Sequence, residues 1–380
     1  MLDDGQKAAG EGYALYHSIG LYPGKESEIR AALDAFASEW CRVGESQWAY
    51  AGTVRGEFMD RWSRLIGAPK GSLTTTENVT ASLYSFMGSL SDETLRGRKV
   101  LVAGDCFPSV HFLLSGMAGR RGFTLETVSP RQGDGFVRDD DFIAQWTGDV
   151  ALALITWVTS TSSKKADLEP LVAHGRRMGS VIGVDITQGI GVLPFDVATP
   201  EVDFAISTSL KWLCGVPGAG ILYVRPTLIA DLRPEFRGWF SQPDPFSWNL
   251  EKFEYARDIH RFDHGTQSPL PFAASLPGLR WHETTGRDAI RAHNLTLTER
   301  LIDAGLEAGW DIVTPLEPDR RGGSIMIRLA DEFDPVAVIA KLRECGVVAD
   351  NRSQVLRFSP GPVTSMAGIE SIIGTLREIV

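Results

Sequence analysis

Val150 to Ile155 reads VALALI, six apolar residues with no polar interruption. A strand with one face in water alternates apolar and polar residues, so an unbroken run has to be covered on both faces. Its neighbours have the same character. Lys99–Ala103 (KVLVA) reads as a buried strand, Phe123–Val128 as another, and Ser180–Val184, Asp203–Ser207 and Gly220–Val224 as three more. Helical spacing lies between or before them. In Glu26–Val43 it places Ile29, Leu33, Phe36 and Trp40 on one face, and Asp167–Met178 is a short amphipathic helix. Strands separated by helices of this length predict an α/β fold with a mostly parallel sheet between helices.

Helical patterns over Pro271–Trp281 and Arg287–Ala308 follow. Beyond Trp310 come short strands (Asp311–Thr314, Gly323–Leu329, Gln354–Phe358) and helices (Asp334–Cys345, Ser365–Ile379). We therefore expect a large domain over residues 1–290, with an N-terminal segment lining the substrate site, and a small α+β domain over 291–380.

Composition narrows the function classes. A net charge of −10 without a long basic stretch disfavours nucleic-acid and anionic-membrane partners. The longest apolar run, Val150–Val158, is too short to cross a bilayer. The first residues show no export signal, so a cytoplasmic protein is expected, with its four scattered cysteines reduced. Seven histidines without HExxH or cysteine pairs predict no metal site. Gly215–Gly220 is glycine-rich but runs into a strand, the wrong setting for a dinucleotide loop.

The chemistry concentrates in two neighbouring strand ends. Asp185 closes an apolar strand, where open α/β sheets place ligand sites. Lys211 follows the next strand, among Thr208, Ser209, Leu210 and Trp212. A lysine there either snorkels to solvent or is a desolvated amine ready to form a Schiff base. The aspartate favours the second reading, because a pyridoxal cofactor needs a lysine for its aldehyde and a carboxylate for its ring nitrogen.

With these residues the chain resembles fold-type I pyridoxal-phosphate enzymes of the class V aminotransferase group, nearest the kynureninase branch, along nearly its whole length. Ser18-Ile-Gly-Leu-Tyr22-Pro23 is similar to the segment where such enzymes begin to line the substrate site, which implies substrate roles for Ser18 and Tyr22. Thr75 and Thr76, before Glu77-Asn78, resemble the phosphate loop at a helix start, and Thr208 is expected at the phosphate too. Phe107-Pro-Ser109 with His111 is similar to a segment whose phenylalanine stacks on the cofactor ring. Gly238-Trp239-Phe240 and Arg261-Phe-Asp-His-Gly-Thr266 resemble phosphate-side elements that reach across a homodimer. Val355-Leu-Arg357-Phe-Ser-Pro360 looks like the strand whose arginine grips the substrate α-carboxylate. Trp48, with Trp40, Tyr50, Tyr22 and Trp239, is expected to line a roomy aromatic pocket.

Three positions depart from the kynureninase pattern. Leu210 stands where that family has tyrosine, Val110 where it has aspartate, and Gln188 where it has histidine; the glutamine is similar to cysteine desulfurases and implies a hydrogen bond to the cofactor's phenolic oxygen. The resemblance thus implies a pyridoxal 5'-phosphate enzyme acting on an unusual α-amino acid through an external aldimine and a quinonoid. β-Elimination of the C–S lyase type, in secondary metabolism, is the favoured reaction. Decarboxylation-dependent (oxidative) deamination or transamination, and a non-catalytic cofactor-binding homologue, are the alternatives.

Overall fold

A computed structural model of the chain describes residues 10–379. Seven strands form the central sheet: β1 (Leu73–Thr76), β2 (Lys99–Ala103), β3 (Thr124–Val128), β4 (Val150–Thr156), β5 (Val181–Asp185), β6 (Phe204–Thr208) and β7 (Gly220–Val224). Their order is β1-β7-β6-β5-β4-β2-β3. Strands β3, β2, β4, β5 and β6 pair in parallel, and β7 runs antiparallel to both of its neighbours. The sheet is therefore mostly parallel, as the unbroken apolar runs require.

Strand β4 shows why. Val150, Ala153 and Ile155 join the apolar core on one face of the sheet, while Ala151, Leu152 and Leu154 join the core on the other. A polar residue at any of these positions would be buried without water on either side. The helix Leu168–Met178, entered through an Asp167 cap on the Glu169 N–H (3.3 Å), presents Leu171 and Val172 to the first core.

A helix that the sequence reading did not single out, Gln47–Leu65, packs with Leu270–Thr285 on that face. Its buried residues Ala51, Val54, Phe58 and Trp62 carry the helical spacing, so the signal was present. The helix Glu26–Val43 is observed as Lys25–Trp40, and Arg287–Ala308 forms as read.

Beyond it, a second sheet has the order β10-β11-β9-β8, with β8 (Asp311–Ile312), β9 (Ile325–Arg328), β10 (Asp350–Arg352) and β11 (Val355–Phe358) all antiparallel. These strands, with the helices Pro335–Glu344 and Met366–Ile379, surround a separate core built on Ile325, Leu342, Leu356 and Ile372. The N-terminal segment is stitched to this part. Gly12–Tyr13 pairs in parallel with Val347–Val348, and Ala14 joins the same core. Continuing from there, the chain passes the carboxyl ends of β5 and β6, because the Gly20 N–H donates to the Leu210 carbonyl (2.9 Å).

Candidate active site

Three parallel strands end together. Thr156 of β4 is opposite Asp185 of β5 in register, Asp185 is opposite Ile206 of β6, and β6 finishes at Thr208. A cavity of about 750 Å3 opens at these ends, lined by Thr156, Asp185, Gln188, Thr208, Lys211 and Phe107 among others. The crevice outside the carboxyl ends of the strands is where such sheets bind ligands.

Lys211 is held on a rigid turn. The Ser209 N–H donates to the Ala219 carbonyl (2.9 Å), and the Gly215 N–H donates back to the Ser209 carbonyl (2.8 Å). Trp62 Nε1 donates to Ser209 Oγ (3.1 Å), and Lys25 Nζ ties the Gly20 and Gly215 carbonyls at 2.7 and 3.1 Å. A methyl group on Gly20 would lie 1.8 Å from the Lys211 carbonyl oxygen, so only glycine permits this approach. Burial lowers the Lys211 ammonium from 10.5 to about 8; the Asp185 carboxylate opposes that shift and the Arg357 guanidinium adds to it. Nζ stands 5.2 Å from the centroid of the Phe107 ring.

Asp185 is buried, and burial raises its carboxyl above the usual range against the Thr187 N–H, which donates to Oδ1 at 3.0 Å. Gln188 donates from Nε2 to the His17 carbonyl (3.1 Å). Thr208 Oγ1 is buried without a hydrogen-bond partner, and Thr208 lines the cavity. Orphaned hydroxyls of this kind, facing a cavity, are what a polar ligand satisfies.

The helix Val79–Met87 points its N-terminus into the same space, and its lining residues include Asn78, Thr80 and Ala81. Asn78 caps it by accepting the Ala81 N–H (2.9 Å). Here the structure corrects an expectation: Thr75 and Thr76 belong to strand β1, not to the helix start. Thr75 Oγ1 accepts from Arg55 Nε (2.8 Å) and bonds Gln267, while Thr76 Oγ1 shares a 2.6 Å hydrogen bond with Ser82. Both threonines are committed to protein partners. The helix start three residues later offers the free N–H groups that suit a phosphate.

Other expected residues lie elsewhere. Trp48, Trp239 and Thr266 come together, but in a separate cavity of about 330 Å3 with Arg55, Phe246 and Phe272. Tyr22 is buried, stacked on Trp281 at 5.2 Å, and its hydroxyl donates to Glu28 (2.9 Å), so it is part of the core rather than of the cavity. Of the remaining aromatics, Trp40 packs on Phe36 and Trp48, and Tyr50 on Phe36, so the expected single aromatic pocket does not form. Ser18 sits in the turn after Leu15, to whose carbonyl its N–H donates (2.8 Å).

Arg357 of β11 is buried beside the cavity. Its Nη1 donates to the carbonyl of Ser160, itself a lining residue, at 3.1 Å. It is also held by Asp350, through Nε to Oδ1 (2.8 Å) and Nη2 to Oδ2. His17 lies behind Asp350, with Nε2 3.0 Å from Oδ1. Sequence reading missed His17 and Asp350. Asp350 faces Arg357 across the β10–β11 pairing, and His17 reaches them only because Gly12–Tyr13 pairs with Val347–Val348 just before β10, a meeting that nothing in the local sequence marks. Among the described residues no group of His, Cys, Asp and Glu is arranged to hold a metal ion, and no helix is long and apolar enough to cross a membrane.

Comparison with known proteins agrees with this geometry. The model of the family "Aminotransferase class-V" matches residues 52–366. A kynureninase of Salinispora tropica is 28% identical over 386 residues, covering 95% of this chain and 88% of that protein. The kynureninase of Koribacter versatilis is 26% identical over 374 residues, covering 92% and 86%. Among solved structures, the apo cysteine desulfurase of Thermococcus onnurineus NA1 superposes with a TM-score of 0.85 at 19% identity, covering 97% of this chain and 94% of that one. A complex of the cystine C–S lyase C-DES with its product cysteine persulfide gives a TM-score of 0.87 at 17% identity, covering 97% of each chain. With the family match spanning most of its length, and Lys211 and Asp185 at one cavity, the chain belongs to the class-V aminotransferases, a family of pyridoxal-phosphate-dependent enzymes.

Proposed function

We propose that the protein is a pyridoxal-phosphate lyase that removes a leaving group from Cβ of a bulky α-amino acid, in the manner of a C–S lyase. The observation that carries this reading is the joint exposure of Lys211 and Asp185 to one cavity of about 750 Å3, with Leu210 as the lysine's lining neighbour. The residues fit the cofactor. Lys211 supplies the amine, Phe107 a ring face, Asp185 the carboxylate for the ring nitrogen, and Gln188 an amide at the cavity wall. The Thr208 hydroxyl and the helix start at Asn78–Thr80 supply donors for a phosphate. Bound there, pyridoxal phosphate would supply an aldehyde for an amine and a ring that takes up the electron pair released at Cα.

The chain's own residues would do the rest. Arg357 holds the substrate carboxylate, which orients the Cα–H bond. Lys211, with its amine lowered to about 8, is the group placed to accept the Cα proton in its neutral form, whose fraction grows as pH rises toward 8, and it can return a proton at the same atom or to the leaving group. Leu210 neither donates nor accepts a proton, so a second acid–base group beside the lysine is missing among the cavity residues next to it in sequence. Elimination needs only the lysine, whereas a hydrolysis at Cγ needs more, and this favours the lyase reading over kynurenine hydrolysis. Trp239 and Thr266, with Phe246 (71% exposed) beside them, are read as the face that meets a second copy of the chain in a homodimer.

The test is product analysis. The purified protein is expected to be yellow, borohydride is expected to fix the cofactor on Lys211, and an S-conjugated cysteine to give pyruvate, ammonia and a thiol. Carbon dioxide without pyruvate would move the reading to decarboxylation. A colourless Lys211→Ala protein with full activity would remove the assignment altogether.

A further inference from the structure

The group of polar residues behind Arg357 has more order than a surface ion pair. Arg357 is 4% exposed and His17 is 3% exposed. Asp350 spans the guanidinium through Nε and Nη2, and the Ser160 carbonyl takes Nη1. These contacts leave one N–H on each Nη nitrogen. A carboxylate can bridge two such N–H groups with both oxygens at once.

Asp350 is itself braced. His17 Nε2 is 3.0 Å from Oδ1, and His17 Nδ1 is 2.7 Å from Ser359 Oγ, which in turn lies 2.6 Å from Ser324 Oγ. Burial pushes the His17 imidazole below its usual range, so the ring is neutral at pH 7. The contact of Nε2 with Asp350 is close without hydrogen-bond alignment, so His17 bears on the carboxylate as a packed polar neighbour held in place by Ser359 at Nδ1. The His17 carbonyl accepts from Gln188 at the cavity wall. One residue thus connects three parts of the fold: the turn after β5 through its carbonyl and Gln188, the N-terminal segment through its own backbone, and the second sheet through its imidazole beside Asp350 and Ser359.

We propose that Asp350, braced by His17, is a positioning residue that fixes the plane of the Arg357 guanidinium, so that its remaining N–H groups meet a substrate α-carboxylate. The pair thereby sets the preference for α-amino acids over plain amines. This rests on the reading of Arg357 as carboxylate receptor given above. Asp350 has no access to the reacting atoms in this role; it acts through Arg357.

The experiment uses the holoenzyme and reads binding rather than turnover, from the change in cofactor absorbance on titration with L-alanine and with ethylamine, its counterpart without the carboxylate. In the unaltered protein alanine binds more tightly. Asp350→Asn keeps the shape and one acceptor, and is expected to weaken alanine about tenfold while ethylamine stays within about twofold. His17→Gln is expected to shift the alanine-to-ethylamine ratio in the same direction by a smaller factor, and it carries the test alone if Asp350→Asn does not fold. Equal weakening of both ligands, or no change in either, overturns the proposal, because a merely structural role leaves the ratio untouched. Tighter alanine binding overturns it as well, since Asp350 would then screen the charge of Arg357 rather than orient it. Arg357→Ala separates the two readings: an unchanged ratio in that variant removes Arg357 as the carboxylate receptor, whatever Asp350 does.

Discussion

Replacing Lys211 by methionine in the cofactor-free protein is expected to stabilise the fold. Burial lowers the Lys211 ammonium from 10.5 to about 8. At about 1.4 kcal/mol per pH unit, that drop corresponds to a cost of about 3 kcal/mol for keeping the charged form in the folded state. Beyond the Asp185 carboxylate, whose effect is already contained in that drop, one further contact opposes it. The ammonium faces the Phe107 ring at 5.2 Å, and at a ring 45% exposed such a contact is worth about 0.5–1 kcal/mol. Methionine is unbranched and fills the same path without a charge. The net expectation is a gain of about 2 kcal/mol at pH 7, after subtracting that contact. The pH dependence is the sharper signature. Between about 8 and 10.5 the unfolded chain binds more protons at this lysine than the folded chain, so the unaltered protein gains stability as pH rises through that window. The methionine variant lacks this term, and the two proteins converge above pH ~10.5. Urea denaturation of both proteins across pH 7 to ~11 measures the difference. A methionine variant that is less stable at pH 7, or a difference that does not change with pH, would refute the reasoning.

Asp263→Ala removes a buried carboxylate that Arg55 Nη2 (2.6 Å), Thr74 Oγ1 (2.6 Å) and His260 Nδ1 (2.8 Å) share, and leaves a guanidinium only 18% exposed without its partner. The expected loss is about 3–5 kcal/mol, read by urea denaturation. Burial alone would raise the Asp263 carboxyl, but its bonds to His260, Arg55 and Thr74 outweigh burial and hold it below the usual range. Its contribution is therefore present above pH ~4 and lost as pH falls through the lowered value, so the variant and the unaltered protein should converge in acid. Gly20→Ala forces a methyl group to 1.8 Å from the Lys211 carbonyl and should displace the lysine turn, with loss of cofactor absorbance as the measurement. Phe107→Ala removes the ring that faces the lysine, and faster loss of cofactor on dialysis is expected; unchanged retention would remove its stacking role.

The central strands and the two residues at their ends could be read directly, for a physical reason. A strand buried on both faces must be apolar at every position, so Val150–Ile155 and Gly220–Val224 announce themselves. A charged residue at or just beyond the end of such a strand then stands out, as Asp185 does at the end of β5 and Lys211 does just beyond β6. Thr75 and Thr76 were harder. Threonine suits both a strand and a helix cap, and only the pairing of Thr75 with Ile221 and Thr76 with Gly220 assigns them to β1. Aromatic residues carry no sign of which cavity they face. Trp48 and Trp239 meet in one, whereas Tyr22 turned inward onto Trp281.

What the sequence determined by itself was therefore the parallel sheet, the family resemblance and the Lys211–Asp185 pair, because each is written in short runs of neighbouring residues. What only the tertiary structure decided was everything assembled from distant segments. The strand pair Gly12–Tyr13 with Val347–Val348 carries His17 to Asp350 and Ser359. No local pattern encodes that meeting, since the residues interact through space and their spacing along the chain is set by the loops and helices between them. The orientation of Arg357, and the company it keeps, became visible only there.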